Sequence, residues 1–306
     1  MVTSYCRAWA LSHCLESLAR QTRPPDEVVV ILKDCGDGSG AIVRKFERSL
    51  PIKLILQNSG GSACDAYELG YRNSSGDVVL FIDDDAVAEE RWVEKYEWFF
   101  SSYPEAGAAG SLVFKAYLSE DRNSVVKTGE LFYTKAATHA SLHRKPLEGF
   151  EEYCDWISKA GFMGSRGMCN GIHLSIDISG VNMGFRAQLI KDFPLTQFYG
   201  SSRKCFWFEK LLAYYAMTKG FKTYLLNDVK KAPIVWHIVH GKSLTRGRGF
   251  WHEYWTHFDR VTMYWRLRKL GAPVSSLRYV LGLLVLLRRR TLPRFLATLH
   301  GLVAMS

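Results

Sequence analysis

The stretch Gly76-Asp77-Val78-Val79-Leu80-Phe81-Ile82-Asp83-Asp84-Asp85 decides the reading of this chain. Five consecutive apolar residues without polar alternation suit a strand covered on both faces, as in the middle of a parallel sheet. Three carboxylates follow at its carboxyl end, where they repel one another and are costly to leave unpaired, so a divalent cation is the natural compensation. Hard oxygen ligands favour Mg²⁺ or Mn²⁺. Alternation would turn Asp83 and Asp85 to one side and Asp84 to the other. A second reading, in which Asp84 or Asp85 caps a helix beginning near Glu89, stays open on the sequence alone.

Upstream, Glu27-Val28-Val29-Val30-Ile31-Leu32 is another apolar run, and Asp34 opens the Gly-rich turn behind it. Asp34 could accept hydrogen bonds from a base or ribose, or simply form the turn. Leu11, Leu15 and Leu18 share one helical stripe, helices are expected near Ile42–Leu50 and Ala63–Arg72, and a strand over Ile52–Leu56. The order βαβαβ predicts a doubly wound α/β domain with ligands at the carboxyl ends of its strands. Between about 116 and 175 the pattern loses its period, which reads as an irregular lid or acceptor-side insertion. Regularity returns with Val181–Arg186, a helix over Phe208–Thr218 closed by Gly220, and strands Tyr224–Leu226 and Ile234–Val239.

With 306 residues, 47% of them hydrophobic, the chain can bury a core, which excludes a disordered tail, a disulfide mini-protein or a collagen-like fibre. Its net charge of +10 is confined to the end: from Lys242 onward there are 12 Lys and Arg against 2 Asp and Glu, leaving 28 of each sign before it. A nucleic-acid-binding body would spread its basic residues over the face that tracks phosphates, so no nucleic-acid partner is expected. The apolar stretches Tyr279–Leu287 and Phe295–Met305 flank Arg288-Arg289-Arg290 and Arg294. Nine apolar residues cover about 13 Å of a hydrocarbon core about 30 Å thick, so these read as amphipathic helices lying on an anionic membrane surface. A packed C-terminal helix with solvated arginines is the other reading. The seven cysteines are odd in number, scattered and free of any C-x-x-C pair, so reduced thiols are expected. Met1–Arg7 has no apolar stretch of the signal-peptide kind, and the expected location is the cytoplasmic face of a membrane.

Ser4-Tyr5-Cys6-Arg7-Ala8, Cys14-Leu15-Glu16-Ser17-Leu18-Ala19-Arg20-Gln21, Pro25-Asp26-Glu27-Val28-Val29-Val30 and Asp37-Gly38-Ser39, followed by Asp83-Asp84-Asp85 as a D-x-D element, resemble the family 2 glycosyltransferases. Ser179–Arg186 is similar to the family's acceptor-side strand. The resemblance covers roughly residues 2–265. It implies a GT-A fold that binds a nucleoside-diphosphate sugar and inverts the anomeric carbon. Ser4, Tyr5, Arg7, Asp34, Asp83 and Asp84 then fall on the donor side, Asp83 and Asp85 at a Mn²⁺ or Mg²⁺ ion, and Asn182 and Arg186 on the acceptor side. His237, on an apolar strand, falls where related enzymes often carry a histidine reaching the metal or diphosphate, although a strand histidine is also a common core residue. The family's acidic pair stands about a dozen residues before a Gly-aromatic step, here Gly220-Phe221, and counting back selects Glu209 as the base; a Glu at a helix start favoured by the dipole is the alternative. Arg246 and Arg248 could close over a diphosphate or belong to the membrane-facing charge.

Two departures from the family stand out. Only Met1-Val2-Thr3 precedes Ser4-Tyr5, so the first strand is either cut short by the start assignment or severely shortened, with a weakly supported nucleotide pocket. Cys6 and Cys64-Asp65 replace Asn and Arg-Asn. The resulting expectation is a glycosyltransferase domain over 1–245, with donor half 1–115 and acceptor half 116–245, and a basic tail over 246–306. It would transfer a hexose, mannose being the choice that family frequency implies, onto a lipid-linked or membrane-presented glycan. A polyprenyl-phosphate sugar synthase and a catalytically inactive sugar-nucleotide-binding module are the alternatives.

Overall fold

A computed structural model describes residues 1–138, 144–200, 202, 204–240, 249–287 and 291–303. The order is β1 (Val2–Tyr5), α1 (Ala8–Ala19), β2 (Val28–Lys33), α2 (Ser39–Phe46), β3 (Ile52–Leu56), α3 (Ala63–Arg72), β4 (Val78–Asp83), β5 (Ala86–Ala88), α4 (Trp92–Ser102), β6 (Ala106–Ser111), β7 (Val113–Leu118), β8 (Val125–Leu131), β9 (Asp155–Ile157), β10 (Met163–Ser165), β11 (Gly171–Leu174) and β12 (Asn182–Arg186). Then follow α5 (Ala187–Ile190), α6 (Leu195–Tyr199), α7 (Phe208–Thr218), β13 (Lys222–Asn227), β14 (Val235–Ile238), α8 (Phe250–Lys269), α9 (Ser276–Leu287) and α10 (Leu292–Val303).

The main sheet has the order β11-β13-β6-β12-β4-β1-β2-β3. The strands β4-β1-β2-β3 are parallel, and β12 is antiparallel to both of its neighbours. This is the α/β arrangement that the alternation of apolar runs and helical stripes predicts. The shortened first strand is not weakly held. It pairs with β2 along its whole length and with β4 through Val2↔Ile82 and Thr3↔Asp83, which sets Tyr5, Lys33 and Asp83 at one edge of the sheet. Gly184 on β12 lets α4 lie close: a Cβ there would come within 2.9 Å of the Phe100 ring and 2.8 Å of Leu80.

A four-stranded sheet, β5-β14-β7-β8, stands beside the main one. Its strands β7 and β8, with the β9-β10 hairpin and β11, correct the expectation of an irregular 116–175. They escape notice because each is short or half exposed, so no period develops over a readable window. The helix-cap reading of Asp84 and Asp85 is also set aside, because α4 begins at Trp92 with Arg91 as its cap residue.

The cysteines require a second correction. Cys6–Cys35, Cys64–Cys205 and Cys154–Cys169 are disulfides, and only Cys14 is free. Partners 29, 141 and 15 residues apart are brought together by the fold and have no local signature.

A third difference concerns the chain from 246 on. α8 is part of the body, with Met263 and Leu267 in the same core cluster as Phe185 and Leu211. Arg266 is buried: it donates to Asp259 Oδ1 (3.0 Å) and to the Phe198 carbonyl (3.0 Å) and lies 3.8 Å from the Tyr199 ring centroid. That basic residue therefore contributes nothing to a surface field. α9 docks through Tyr279, stacked on Tyr264 at 4.0 Å, and α10 docks through Ala297, Thr298 and Gly301. Their other faces leave Leu277, Leu284, Leu292, Phe295 and Leu299 exposed. No helix among the described residues is long and apolar enough to cross a membrane. Arg288, Arg289 and Arg290 lie outside those residues.

Candidate active site

The carboxyl ends of β1, β2 and β4 open into a cleft of about 950 Å³, at the upper end of the volumes usual for ligand sites. Asp83 ends β4. Asp85 is 1% exposed, and its carbonyl accepts the Ile238 amide at 2.8 Å. That bond and the register His237↔Ala86 between β14 and β5 bring a histidine 152 residues downstream onto the carboxylates. His237 Nε2 lies 3.2 Å from Asp85 Oδ1 and 3.7 Å from Asp83 Oδ2. One ligand atom from each of Asp83, Asp85 and His237 lies within 4.8 Å of the others. Asp85 Oδ1 and His237 Nδ1 are buried with no hydrogen-bond partner among the described residues. A carboxylate oxygen left unsatisfied beside a second carboxylate and an imidazole is a donor set that fits a divalent cation.

Two further groups hold this cluster. Arg7 Nη1 donates to Asp84 Oδ1 (2.7 Å) and Asp85 Oδ2 (2.8 Å), and His240 Nε2 lies 2.5 Å from Asp85 Oδ2. Burial by itself would push the Asp85 carboxyl up, but His237, His240 and Arg7 together hold it well below the usual carboxylate range. For Asp84, burial pushes upward, against the pull of Arg7 and with the help of Asp85. Burial would lower His237, yet Asp85 and Asp83 reverse this and push it up to about 9. The imidazole is thus protonated at neutral pH and must release a proton to serve as a ligand.

The same cleft is lined by Glu209, in the first turn of α7. Trp207, which precedes this helix, has φ +69°, a left-handed conformation that costs a non-glycine residue about 1 kcal/mol and turns the chain sharply into α7. Glu209 is 9% exposed and shares Lys210 with Asp177: Lys210 Nζ lies 2.8 Å from Glu209 Oε1 and 2.9 Å from Asp177 Oδ1. Tyr67 stacks on Phe208 at 3.9 Å behind it.

Comparison with known proteins bears directly on this arrangement. Residues 1–148 match the profile of "Glycosyl transferase family 2". Over these residues, just under half of the chain, the sequence is that of a family 2 glycosyltransferase domain. Among curated relatives, an uncharacterized glycosyltransferase of Bacillus subtilis, YwdF, is 32% identical over 95 residues, 31% of this chain and 35% of that protein. The match thus spans about a third of the relative's length. Among solved structures, S. aureus TarS 1–349 in complex with UDP-GlcNAc is similar with a TM-score of 0.55 at 16% identity, over 91% of this chain and 68% of that one. The mannosyltransferase PcManGT from Pyrobaculum calidifontis, in complex with GDP-Man and Mn²⁺, gives 0.50 at 15%, over 99% and 68%. At these identities the likeness is one of fold, and that fold is GT-A.

The residues expected at the site divide. Ser4, Tyr5, Arg7, Asp83, Asp84, Asp85, His237 and Glu209 all line the one cleft. Asp34 does not: it is exposed and accepts the Gly36 amide at 3.0 Å, which is its turn-forming reading. Arg7 lines the cleft but spends its charge on Asp84 and Asp85. Asn182 is corrected from acceptor contact to buried junction. It is 0% exposed, its oxygen accepts from Trp92 Nε1 (2.8 Å) and Tyr96 Oη (2.9 Å), and its amide donates to the carbonyls of Leu112 and Pro233. Arg186 is corrected likewise: it donates to the carbonyls of Ala106 and Phe100 and ties β12 to the end of α4. Arg246 and Arg248 lie outside the described residues. The sequence reading missed His240, Lys210 and the Lys135–Asp155 pair. For His240 a signal existed, since it stands three residues after His237 in Val235-Trp236-His237-Ile238-Val239-His240.

Proposed function

We propose that the chain is a metal-dependent, inverting glycosyltransferase that moves a hexose, with mannose the leading candidate, from a nucleoside-diphosphate sugar to a lipid-linked or membrane-presented glycan. The observation that carries this is the meeting of a cation-type donor set, Asp83, Asp85 and His237, with an acid on a helix start, Glu209, in one cleft. A divalent cation bound there would neutralise the charge growing on the leaving diphosphate. Glu209 is the base: its carboxylate takes the proton of the acceptor hydroxyl as that oxygen bonds the anomeric carbon, while the bond to the β-phosphate breaks and its electron pair leaves with the diphosphate. Lys210 holds Oε1, which leaves Oε2 to receive the proton. Arg7 and His240 keep Asp85 ionised and in place.

The choice of mannose draws on the GDP-Man-bound structural neighbour, and the lipid-linked acceptor on the apolar faces of α9 and α10. A domain held at a membrane meets a lipid-borne acceptor at high effective concentration. Location at the cytoplasmic face is part of the proposal, and the six paired cysteines supply its check. The three disulfides weigh against a reducing compartment: one titratable thiol in the native protein would move the proposed location to an oxidising one, and seven would mean that the pairs are reduced where the protein acts. A screen of GDP-, UDP- and dTDP-sugars with Mn²⁺ or Mg²⁺ against lipid-linked glycans and polyprenyl phosphate tests the function. Transfer to the lipid phosphate itself would replace the glycan acceptor, and absence of both transfer and donor binding would overturn the proposal.

A further inference from the structure

Arg260 lines the cleft with no ion-pair or hydrogen-bond partner among the described residues. Its guanidinium carbon lies 5.2 Å from the ring centroid of Trp207 and 5.5 Å from that of Phe206, the two residues that lead into Phe208-Glu209, and its Nε is buried without a hydrogen bond. The carboxylate next to it in sequence, Asp259, is already committed. Its Oδ2 accepts from Ser202 Oγ (2.7 Å) and the Phe206 amide (2.8 Å), and its Oδ1 accepts from Arg266 (3.0 Å). No residue outside the described set is Asp or Glu, so the sequence holds no further acid to pair with it there. Burial lowers the pKa of Arg260, and the nearby charge of Arg294 adds to this.

Lys204 lines the same part of the cleft, with Nζ 2.6 Å from His252 Nδ1 and 3.1 Å from Thr256 Oγ1. Burial pushes this amine down to about 8, against the weaker opposing effect of Asp259. Two half-buried cationic side chains lining the cleft that Glu209 also lines, one of them without an ion-pair partner among the described residues, cost stability unless something negative visits them. A carboxylate or phosphate group, accepting charge-assisted hydrogen bonds from a guanidinium fork and an ammonium, is the chemistry that matches.

We infer that Arg260 and Lys204 form an oxyanion subsite on the acceptor side of the cleft, so that the acceptor bears a phosphate or carboxylate near the hydroxyl to be glycosylated. The inference rests on the proposed function for its assignment to the acceptor. The diphosphate of the donor would be met by the cation that Asp83, Asp85 and His237 could hold, whereas Arg260 packs on Phe206 and Trp207, which lead into Glu209.

The test titrates the full chain, with UDP or GDP and Mn²⁺ present, against mannose 6-phosphate, glucuronate and neutral mannose. At least one of the two anions should bind more tightly than mannose, and which one does so distinguishes a phosphate-bearing from a carboxylate-bearing acceptor. Arg260→Gln should weaken that binding by roughly 10- to 100-fold, the loss of a charge-assisted contact, and leave nucleoside-diphosphate affinity unchanged. Arg260→Lys should retain part of it, and Lys204→Gln should weaken it as well. Equal binding of all three sugars, or a loss of UDP or GDP affinity in Arg260→Gln, would overturn the inference. Anion binding that survives while no donor is ever turned over would leave the subsite standing and remove the proposed function.

Discussion

Arg7→Met isolates the electrostatic logic of the cleft. Arg7 is the guanidinium that bridges Asp84 and Asp85, at 2.7 and 2.8 Å; it is 15% exposed, and the two carboxylates are 3% and 1% exposed. Removing one partner of a buried ion pair costs ~3–5 kcal/mol, and the partial exposure of Arg7 places this case at the low end, ~3 kcal/mol. For a domain of this size each kcal/mol moves the melting temperature by roughly 2–4 °C, so a fall of roughly 6–12 °C is expected. A divalent cation should compensate, because it brings positive charge to the same carboxylates. At 100 times its Kd it stabilises by ~2.7 kcal/mol, and with Arg7 gone it no longer competes with a fixed cation. Thermal melts of wild type, Arg7→Met and the control Arg20→Met, with and without Mn²⁺, read this out. Arg20 pairs with Glu16 on an exposed helix face, where loss of a pair costs less than ~1 kcal/mol. Arg7→Met should melt well below both, and Mn²⁺ should raise its melting temperature by more than that of wild type. An Arg7→Met protein that melts with the control, or responds to Mn²⁺ no more than wild type, would refute the reasoning.

Asn182→Ala should destabilise by at least ~3 kcal/mol in denaturant unfolding, because it strands the Trp92 indole N–H and the Leu112 and Pro233 carbonyls in the core; a change below ~1 kcal/mol would mean water replaces the amide. Asp177 is held well below the usual carboxylate range by Lys210 and Lys135 against the effect of burial, so its contribution is present above the unfolded value near ~3.9 and lost as pH falls below it. Unfolding free energy should therefore drop on acidification, and the drop should be smaller in Lys210→Met, which also loses ~3 kcal/mol at neutral pH by leaving Glu209 without its cation and Asp177 with Lys135 alone. Leu284→Glu with Leu296→Glu alters only exposed positions of α9 and α10, 54% and 39% exposed, and should abolish sedimentation with anionic vesicles while leaving the melting temperature within about 2 °C. Undiminished sedimentation would remove the membrane assignment.

The legible part of the fold is the part written in local pattern. Val28–Leu32 and Val78–Ile82 are apolar runs long enough to be strands and nothing else, and Ala63–Arg72 and Phe208–Thr218 fall where the helical stripes predict. In the site, three carboxylates at a strand end carry their own meaning, so Asp83 and Asp85 were readable. What supports them was not. Arg7 is 77 residues from Asp84 and His240 is 155 from Asp85, and only the pairing of β1 with β4 and of β14 with β5 shows that they meet. Asn182 and Arg186 mislead for a physical reason. A polar residue on an apolar strand faces either a ligand or a set of carbonyls from distant loops, and those carbonyls leave no trace in the sequence. The +10 charge misleads in the same way, since Arg266 and Arg260 belong to a helix that closes the core and the cleft and not to a free basic tail.

The most direct test is a transfer assay on wild type, Asp85→Ala and Glu209→Gln, using whichever nucleotide sugar the wild type consumes, with Mn²⁺ supplied. Asp85→Ala should lose both metal-dependent donor binding and turnover, and Glu209→Gln should bind donor normally yet lose turnover by at least about 100-fold, the scale of a positioned general base. Turnover that persists in both variants would contradict the account.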